Sequence, residues 1–289
     1  MEQRIYSYTP RHVENLPRRR RRRGKRRRRV SPILYAVVFC VPIVVLLLVL
    51  STALPKLFEQ DTQPSFIATG DSNAAEPASP PVEEVGVYDF SLPVPVSAAV
   101  DESYFDDAVF IGDSRTEGLM LNTGLSNATF YAYKGLMVDT VFSKPVVNQD
   151  GQKRSVMDAL KMTQFSKVYI MFGINETGWA YSQIFQTKYG ELIDGIREIN
   201  PEAVIYIQGI LPVSNKVSTT HDYVTNEKIN AYNTLLRELA QEKQAYYVDS
   251  ENSVASGDGS LPAEAAVDGI HLTKPYCETW LDYLKTHTI

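Results

Sequence analysis

Cysteine is almost absent from this 289-residue chain, which has only Cys40 and Cys277. Cys40 lies in a long apolar run near the N-terminus and Cys277 lies close to the C-terminus, so we expect no structural disulfide between them. Two distant cysteines also exclude a thiolate metal cluster. The sequence therefore predicts a fold that is held together by its own core, with neither a metal nor an organic cofactor.

Histidine is also scarce, and its four residues narrow the search for a general base. His12 precedes a basic run, His287 lies in the C-terminal tail, and His221 has only the aspartate that follows it beside it. His271 differs because Asp268 stands three residues before it. On a loop this spacing can bring the carboxylate under one ring nitrogen and leave the other nitrogen free to act as a base.

Charge is missing from residues 33–54, a run of 22 positions dominated by Val, Leu and Ile. At about 1.5 Å per residue, such a run crosses a hydrocarbon core of roughly 30 Å. Residues 1–30 carry 13 Lys and Arg against 2 Asp and Glu, and dense positive charge stays on the cytoplasmic side. The sequence predicts a cytoplasmic polybasic arm (1–30), one transmembrane helix (31–55) and an extracellular remainder of a cell-membrane protein.

Two other interpretations of this region are open. Ser51-Thr52-Ala53 resembles a signal-peptide cleavage site, although the apolar run is longer than the usual stretch of roughly 7 to 15 residues. Basic runs such as Arg18 to Arg23 can also mark nucleic-acid binding. Because a membrane span follows the run, we expect anionic lipid headgroups as its partner and no nucleic acid.

The rest of the chain divides into a linker and one domain. Residues 56–95 are rich in Pro, Ala, Ser, Asp and Glu, which predicts a disordered extracellular linker. From 96 to 289, strand-like and helix-like patterns alternate, which predicts an α/β domain with a mainly parallel sheet covered on both faces. The predicted strands are 108–111, 129–133, 167–172, 203–209 and 245–248, and the predicted helices are 181–199, 225–243 and 274–286.

Polar and small residues stand after the predicted strands, where the ligand site of a parallel sheet lies. Ser114 follows the first strand in Gly-Asp-Ser-Arg, Gly135 follows the second, and Asn175 follows the third in Gly-Ile-Asn-Glu. Asp268 and His271 lie in the loop before the last helix. Each of these residues taken alone can instead cap a helix or form a turn.

Taken in order, these motifs resemble the four blocks of the SGNH (GDSL) hydrolase family. The resemblance covers residues 107–286 and implies a three-layer α/β/α, flavodoxin-like fold and a serine esterase. It implies a catalytic triad of Ser114, His271 and Asp268, and an oxyanion hole made by the amides of Ser114 and Gly135 and the side chain of Asn175. The Gly-x-Ser-x-Gly motif of α/β-hydrolases is missing from the chain.

The chain departs from the usual family pattern at two positions. Arg115 follows the serine in place of leucine, and we expect it either to contact an anionic substrate or to pair with Glu117. Glu176 follows Asn175 where the family commonly has aspartate, which changes the expected geometry of that loop.

Aromatic residues near the motifs are candidates for substrate binding. Trp179 and Tyr181, with Tyr131 and Tyr133, can form a stacking wall for a sugar, or they can pack in the core. The polar segment 212–223 is predicted to be a lid over the pocket.

The sequence as a whole predicts a membrane-tethered extracellular serine esterase. The resemblance suggests small acyl esters as substrates, and the tether suggests O-acetyl groups on cell-envelope polysaccharide. Two alternatives are an O-acyltransferase of the same family type that acts on surface glycans, and a catalytically silent surface-binding module. The leader and anchor resemble those of Gram-positive cell-surface proteins.

Overall fold

The computed structural model of the protein describes residues 88–289. The predicted arm, the predicted transmembrane helix and most of the predicted linker lie outside the described residues. Between residues 88 and 289 no helix combines the length and the apolar character that a membrane crossing requires.

Five parallel strands form the central sheet. They are β1 (Ala108–Gly112), β2 (Thr129–Ala132), β5 (Lys167–Met171), β6 (Val204–Gln208) and β7 (Tyr246–Val248), and a separate antiparallel hairpin contains β3 (Val147–Gln149) and β4 (Gln152–Arg154). The order across the sheet is β2-β1-β5-β6-β7, and every neighbouring pair is parallel. Among the sheet strands this is the 2-1-3-4-5 order of doubly wound, flavodoxin-like folds.

Helices cover both faces of the sheet. The described helices are α1 (Ser114–Thr123), α2 (Val156–Leu160), α3 (Ser182–Ile199), α4 (Asn215–Thr220), α5 (Asn226–Lys243) and α6 (Lys274–Lys285). The apolar stripes of α3 and α5 pack on one face, in the cluster that contains Ile193 and Leu236. Helices α1 and α6 pack on the other face, where Leu119 and Trp280 are buried. The prediction of an α/β fold with a mainly parallel sheet is confirmed.

The ends of the predicted strands and long helices agree with the structure to within one residue. The hairpin and the short helices α2 and α4 were not predicted, because segments of three to six residues are too short to show a period. Helix α4 lies inside the predicted lid, 212–223.

A row of aromatic rings crosses the sheet on the face covered by α1 and α6. Phe130, Phe110, Tyr169, Tyr206 and Tyr246 occupy one level of the strand register, one residue from each strand. Neighbouring ring centroids along the row are 4.8, 4.8, 4.4 and 5.7 Å apart. Since a slip by one residue would move a ring to the opposite face, the row favours this register over its neighbours.

The folded domain begins before the predicted boundary at residue 96. Val94 is buried, and its backbone N–H donates to the carbonyl of Tyr247 in β7 (2.8 Å). The rings of Tyr88 and Phe90 pack against Tyr246 at 4.9 and 5.1 Å. Residues 88–95, which the composition assigns to the linker, therefore cover the edge strand β7, because the apolar residues among the prolines have a surface to pack on.

Candidate active site

Ser114 is held at the start of α1, directly after β1. Asp113 caps the helix and accepts a hydrogen bond from the backbone N–H of Arg115 (2.9 Å). A side chain at Gly112 would collide with Thr116 and with the carbonyl of Met171, so glycine allows the turn from strand to helix to lie close to β5. Because Ser114 opens the helix, its amide has no acceptor within α1 and is free to bind an anion.

His271 joins Ser114 to Asp268. Its Nε2 lies 2.9 Å from Ser114 Oγ, and its Nδ1 lies 2.6 Å from Asp268 Oδ2. The second carboxylate oxygen of Asp268 accepts from the backbone N–H groups of Ile270 (2.9 Å) and His271 (2.8 Å). The loop thus fixes the carboxylate, the carboxylate fixes the imidazole, and the imidazole can take a proton from the serine.

The environment of Asp268 keeps its carboxylate ionised. Partial burial raises the pKa of the group, but the hydrogen bonds from His271 and Ile270 and the nearby imidazole outweigh burial and lower the pKa to about 2. An ionised carboxylate at this position holds the Nδ1 proton of His271 and stabilises the imidazolium that forms when the serine is deprotonated.

Four of the five predicted residues, Ser114, Gly135, Asn175 and His271, line one cavity of about 250 Å³. The fifth, Asp268, does not line the cavity and is connected to it by the hydrogen bond to His271. The neighbouring order β2-β1-β5 brings the loops after these three strands together at the carboxyl edge of the sheet. Gly135 has a positive φ of 70°, a conformation that glycine adopts without strain.

The side-chain amide of Asn175 is anchored beside this cavity. Its Nδ2 donates to the carbonyl of Leu136 (3.2 Å) and makes a long contact of 3.4 Å with Asp113 Oδ2. The first bond ties the Asn175 loop to the residue that follows Gly135. A contact as long as the second is weak, so one Nδ2 hydrogen is available to a closer acceptor.

Two buried carboxyl groups flank the nucleophile and Asn175. Burial raises the pKa of Asp113 to about 6, although the N–H and the guanidinium of Arg115 and the nearby His271 oppose the rise. Burial also raises the pKa of Glu176, to about 8, although Glu176 Oε1 accepts from the backbone N–H of Val138 (2.7 Å). Glu176 therefore secures the loop that begins at Gly135, a role that the sequence did not indicate.

Arg115 does not take either of its two predicted roles. The side chain is buried and donates to the carbonyl of Leu211 and to that of Pro212 (3.2 Å), in the segment after β6. It does not line the cavity, and its guanidinium bonds to these two carbonyls and not to Glu117. Burial lowers its pKa to about 10, against the attraction of Asp113, so it stays protonated near neutral pH. The first turn of α1 directs this residue into the protein.

The predicted aromatic wall is also placed differently. Tyr181 is 67% exposed and Trp179 packs against the core, and neither lines the cavity. Tyr131 is buried. The aromatic lining comes from Tyr223, which lies at the end of the predicted lid.

His221 also lines the cavity, and so does Lys134, which precedes Gly135. The sequence placed His221 in the lid but offered no signal that it lines the same cavity as Ser114. Between residues 88 and 289, no group of three or more His, Cys, Asp or Glu side chains is arranged to hold a metal ion.

Comparison with solved structures finds several proteins to which this chain is similar. A candidate platelet activating factor from Streptococcus pneumonia is 19% identical over 64% of this chain and 89% of that chain, with a TM-score of 0.51. A GDSL-like lipase from Bacteroides thetaiotaomicron (14% identity, 69% and 90% coverage) has a TM-score of 0.47. An acetylxylan esterase from Geobacillus stearothermophilus (14% identity, 68% and 97% coverage) has a TM-score of 0.44. No curated protein matches the sequence.

The sequence profile of the GDSL-like lipase/acylhydrolase family matches residues 110–275, which is more than half of the chain. The matched range begins within β1, just before Ser114, and ends after His271, so it contains the hydrogen-bonded serine, histidine and aspartate. The protein is therefore a serine hydrolase of the SGNH type and belongs to the GDSL-like lipase/acylhydrolase family.

Proposed function

We propose that this protein is a membrane-tethered, extracellular serine esterase that removes small acyl groups, above all O-acetyl groups, from cell-envelope polysaccharide. Ser114 is the nucleophile, His271 is the general base and then the general acid, and Asp268 orients His271. The observation that carries the proposal is the continuous chain of hydrogen bonds from Asp268 through His271 to Ser114, with distances of 2.6 and 2.9 Å.

The reaction proceeds through an acyl-enzyme. Ser114 Oγ attacks the ester carbonyl as its proton passes to His271 Nε2, and the carbonyl oxygen becomes an oxyanion. Collapse of this intermediate breaks the bond to the alcohol, which leaves with the proton from His271. Water then attacks the acyl group with His271 again as base, and carboxylate is released as Ser114 recovers its proton.

The oxyanion is held by three donors: the amides of Ser114 and Gly135 and Nδ2 of Asn175. The first is a free amide at the start of a helix, and the second belongs to a glycine that allows a carbonyl oxygen to approach closely. Each such donor is commonly worth about 3 kcal/mol in the transition state.

The small volume of the cavity favours a small acyl group as substrate, and the exposure of the base to water favours hydrolysis over acyl transfer. A cavity of about 250 Å³ lies below the usual range for drug-sized ligands, roughly 300 to 1,000 Å³. The side chains of His271 and Asp268 are 44% and 54% exposed, so water reaches the base. An acyltransferase of the same family type would need to exclude water from the acyl-enzyme.

The location rests on the N-terminal sequence. The polybasic arm (1–30) lies on anionic lipid headgroups in the cytoplasm, residues 31–55 cross the membrane once, and the hydrolase domain is outside. This arrangement brings the domain to acylated carbohydrate of the cell envelope.

The test uses the full-length protein in detergent micelles with an O-acetylated polysaccharide, and follows released acetate and acetylated acceptor sugar by mass spectrometry. We expect acetate to be released by the wild type and not by Ser114→Ala, which removes one oxygen and leaves almost no cavity. Acetylated acceptor without acetate would identify a transferase. Equal inactivity of both proteins on the polysaccharide and on p-nitrophenyl acetate would identify a silent binding module.

A further inference from the structure

Two residues of the segment after α4, His221 and Tyr223, form one side of the cavity that contains Ser114. We propose that they hold the alcohol part of the ester, a hydroxylated sugar ring, and so decide which esters are cleaved. This inference rests on the proposed function and names the residues that would recognise its substrate. Both residues line the same cavity as Ser114 and His271.

The hydrogen bonds of His221 fix its tautomer. Its Nδ1 accepts from the backbone N–H groups of Tyr223 (3.3 Å) and Val224 (3.1 Å). A ring nitrogen that accepts hydrogen bonds carries no proton, so the proton of the neutral imidazole is on Nε2. No residue from 88 to 289 accepts from this Nε2–H. His221 therefore presents a fixed hydrogen-bond donor to a ligand in the cavity.

The same contacts show that His221 is not a second general base. The nitrogen that could accept a proton is already occupied by two backbone donors, and Ser114 Oγ bonds to His271 instead. A donor that lines the cavity without reaching the nucleophile has the chemistry of a substrate-binding group.

Tyr223 provides a flat apolar surface next to this donor. Its ring packs edge-on against the ring of His221, with centroids 4.5 Å apart and an interplanar angle of 86°. On another side the ring packs over Gly178, where an added Cβ would lie 3.1 Å from it. Gly178 belongs to the turn that follows Asn175, so the ring is held from two directions while 44% of the residue stays exposed.

A held aromatic ring beside a fixed donor suits a saccharide. The apolar C–H face of a sugar packs on an aromatic ring, and its hydroxyl oxygens accept hydrogen bonds. A simple alkyl alcohol would use the ring but would leave the Nε2–H of His221 without an acceptor, which disfavours its binding.

The experiment compares two esters with the full-length protein in detergent. One is methyl 6-O-acetyl-N-acetylglucosaminide, and the other is p-nitrophenyl acetate, which has no sugar. The readout is the ratio of kcat/KM for the sugar ester to kcat/KM for the small ester. Thermal unfolding of each variant tests whether the domain is intact.

Substitutions at His221 separate binding from a purely structural role. In His221→Asn the side-chain oxygen can replace Nδ1 as acceptor for the turn, but the distal donor is lost, and we expect the ratio to fall about tenfold. In His221→Gln an amide N–H stands near the Nε2 position, and we expect most of the ratio to return even though the turn loses its acceptor. The opposite order, with Gln impaired and Asn normal, would show a structural cap and overturn the proposal.

Substitutions of tyrosine test the ring. We expect Tyr223→Ala to lower the ratio about tenfold, mainly through a higher KM for the sugar ester, and Tyr223→Phe to keep it. Tyr181→Ala is the matched control, because Tyr181 is exposed and does not line the cavity. A change in the ratio from Tyr181→Ala and none from Tyr223→Ala would overturn the assignment.

The activity of Ser114→Ala distinguishes failure of the proposed esterase reaction from failure of the sugar-binding assignment. If Ser114→Ala cleaved p-nitrophenyl acetate as fast as the wild type, the proposed function would fail, and this inference with it. If Ser114→Ala were inactive while every His221 and Tyr223 variant kept the wild-type ratio, the esterase would stand and the sugar-binding side would be rejected.

Discussion

Asp268 sets the tautomer of His271 through a short bond to Nδ1, and two backbone N–H groups anchor the carboxylate. In Asp268→Asn the side-chain oxygen can keep the bonds to the N–H groups of Ile270 and His271, so the loop should stay in place. The new amide would face Nδ1 as a donor and favour the tautomer with a proton on Nε2, which cannot accept the serine proton. We expect kcat for a small acetate ester to fall on the order of 10³- to 10⁴-fold, with little change in the unfolding midpoint.

Asp258→Asn is the matched control for this prediction. Asp258 is also a loop aspartate that accepts from a backbone N–H and a side chain, at Ser260, but it does not contact the triad. We expect normal turnover from this variant. Equal losses from both substitutions would mean that the hydrogen bond to His271 is not the cause.

Glu176 makes the stability of the domain depend on pH. Its pKa rises from an ordinary value of 4.5 to about 8, chiefly because the group is buried, so the folded state keeps a proton that the unfolded state loses. The stabilisation from this proton is complete below about pH 4.5 and is lost as the pH rises to about 8. Glu176→Gln keeps an acceptor for the N–H of Val138 and has no charge to bury.

We therefore expect Glu176→Gln to become more stable than the wild type as the pH rises, by a few kcal/mol at pH 8.5. Denaturant unfolding at pH 5 and pH 8.5 measures the difference. A difference that is the same at both pH values would show that Glu176 is ionised in the folded protein at both.

At the scale of the elements, the segment after β6 (210–213) is held in place by hydrogen bonds between side chains and its backbone. Side chains satisfy its backbone: Asn233 bonds to both polar groups of Ile210, Arg115 bonds to the carbonyls of Leu211 and Pro212, and Asn226 bonds to both polar groups of Val213. The next residue, Ser214, donates its N–H to the carbonyl of Gly269 (2.9 Å), between Asp268 and His271. The helix of the nucleophile and the loop of the base are thus joined through this segment.

Removing the guanidinium should weaken that connection. Arg115→Met leaves two buried carbonyls without a donor, and we expect the free energy of unfolding to fall by about 1 to 3 kcal/mol for each, with a lower kcat. Glu117→Ala is the control, since the guanidinium of Arg115 bonds to the carbonyls of Leu211 and Pro212 and not to Glu117. Chemical denaturation measures both variants, and a loss of stability confined to Glu117→Ala would favour the pair with Glu117, one of the two roles that the sequence left open for Arg115.

The edge of the sheet supports a second prediction at this scale. Deletion of residues 88–95 would expose Tyr246 and remove the donor to the carbonyl of Tyr247. We expect a chain that begins at Tyr88 to unfold cooperatively, and one that begins at Val96 to unfold at a lower temperature and to aggregate through the open edge. Identical melting curves and solubility for the two chains would argue that the N-terminal residues contribute nothing.

The sequence predicts those parts of the fold and the site that depend on local patterns. Residues 108–111 are a short apolar run closed by glycine, so both the strand and the serine after it could be found. The burial of Arg115 could not be found, because its acceptors lie 96 and 97 residues further along the chain. Tyr223 was missed for the same reason, since the ring is held by Gly178, which is distant in sequence.

At the scale of the whole molecule, the topology is the main prediction. From the Arg-rich arm and the charge-free run we expect residues 1–30 to lie inside the cell and Asp61 onward to lie outside it. Protease added to intact cells should remove the hydrolase domain and spare the arm, as followed with epitope tags at both ends. Loss of the arm with the domain protected would reverse the orientation, and a free domain that begins at Leu54 would indicate a cleaved signal peptide.

The row of five aromatic rings gives the domain an optical signature. Its three tyrosines come from neighbouring strands and are fixed in a chiral arrangement, with Tyr169 and Tyr206 stacked at 4.4 Å. Fixed, closely spaced chromophores give a near-ultraviolet circular dichroism spectrum that disappears when tertiary packing is lost and secondary structure is kept. Trp280, buried on the same face, adds a second band. A single spectrum thus distinguishes a variant that has lost only its catalytic activity from one that has lost the tertiary packing around the row.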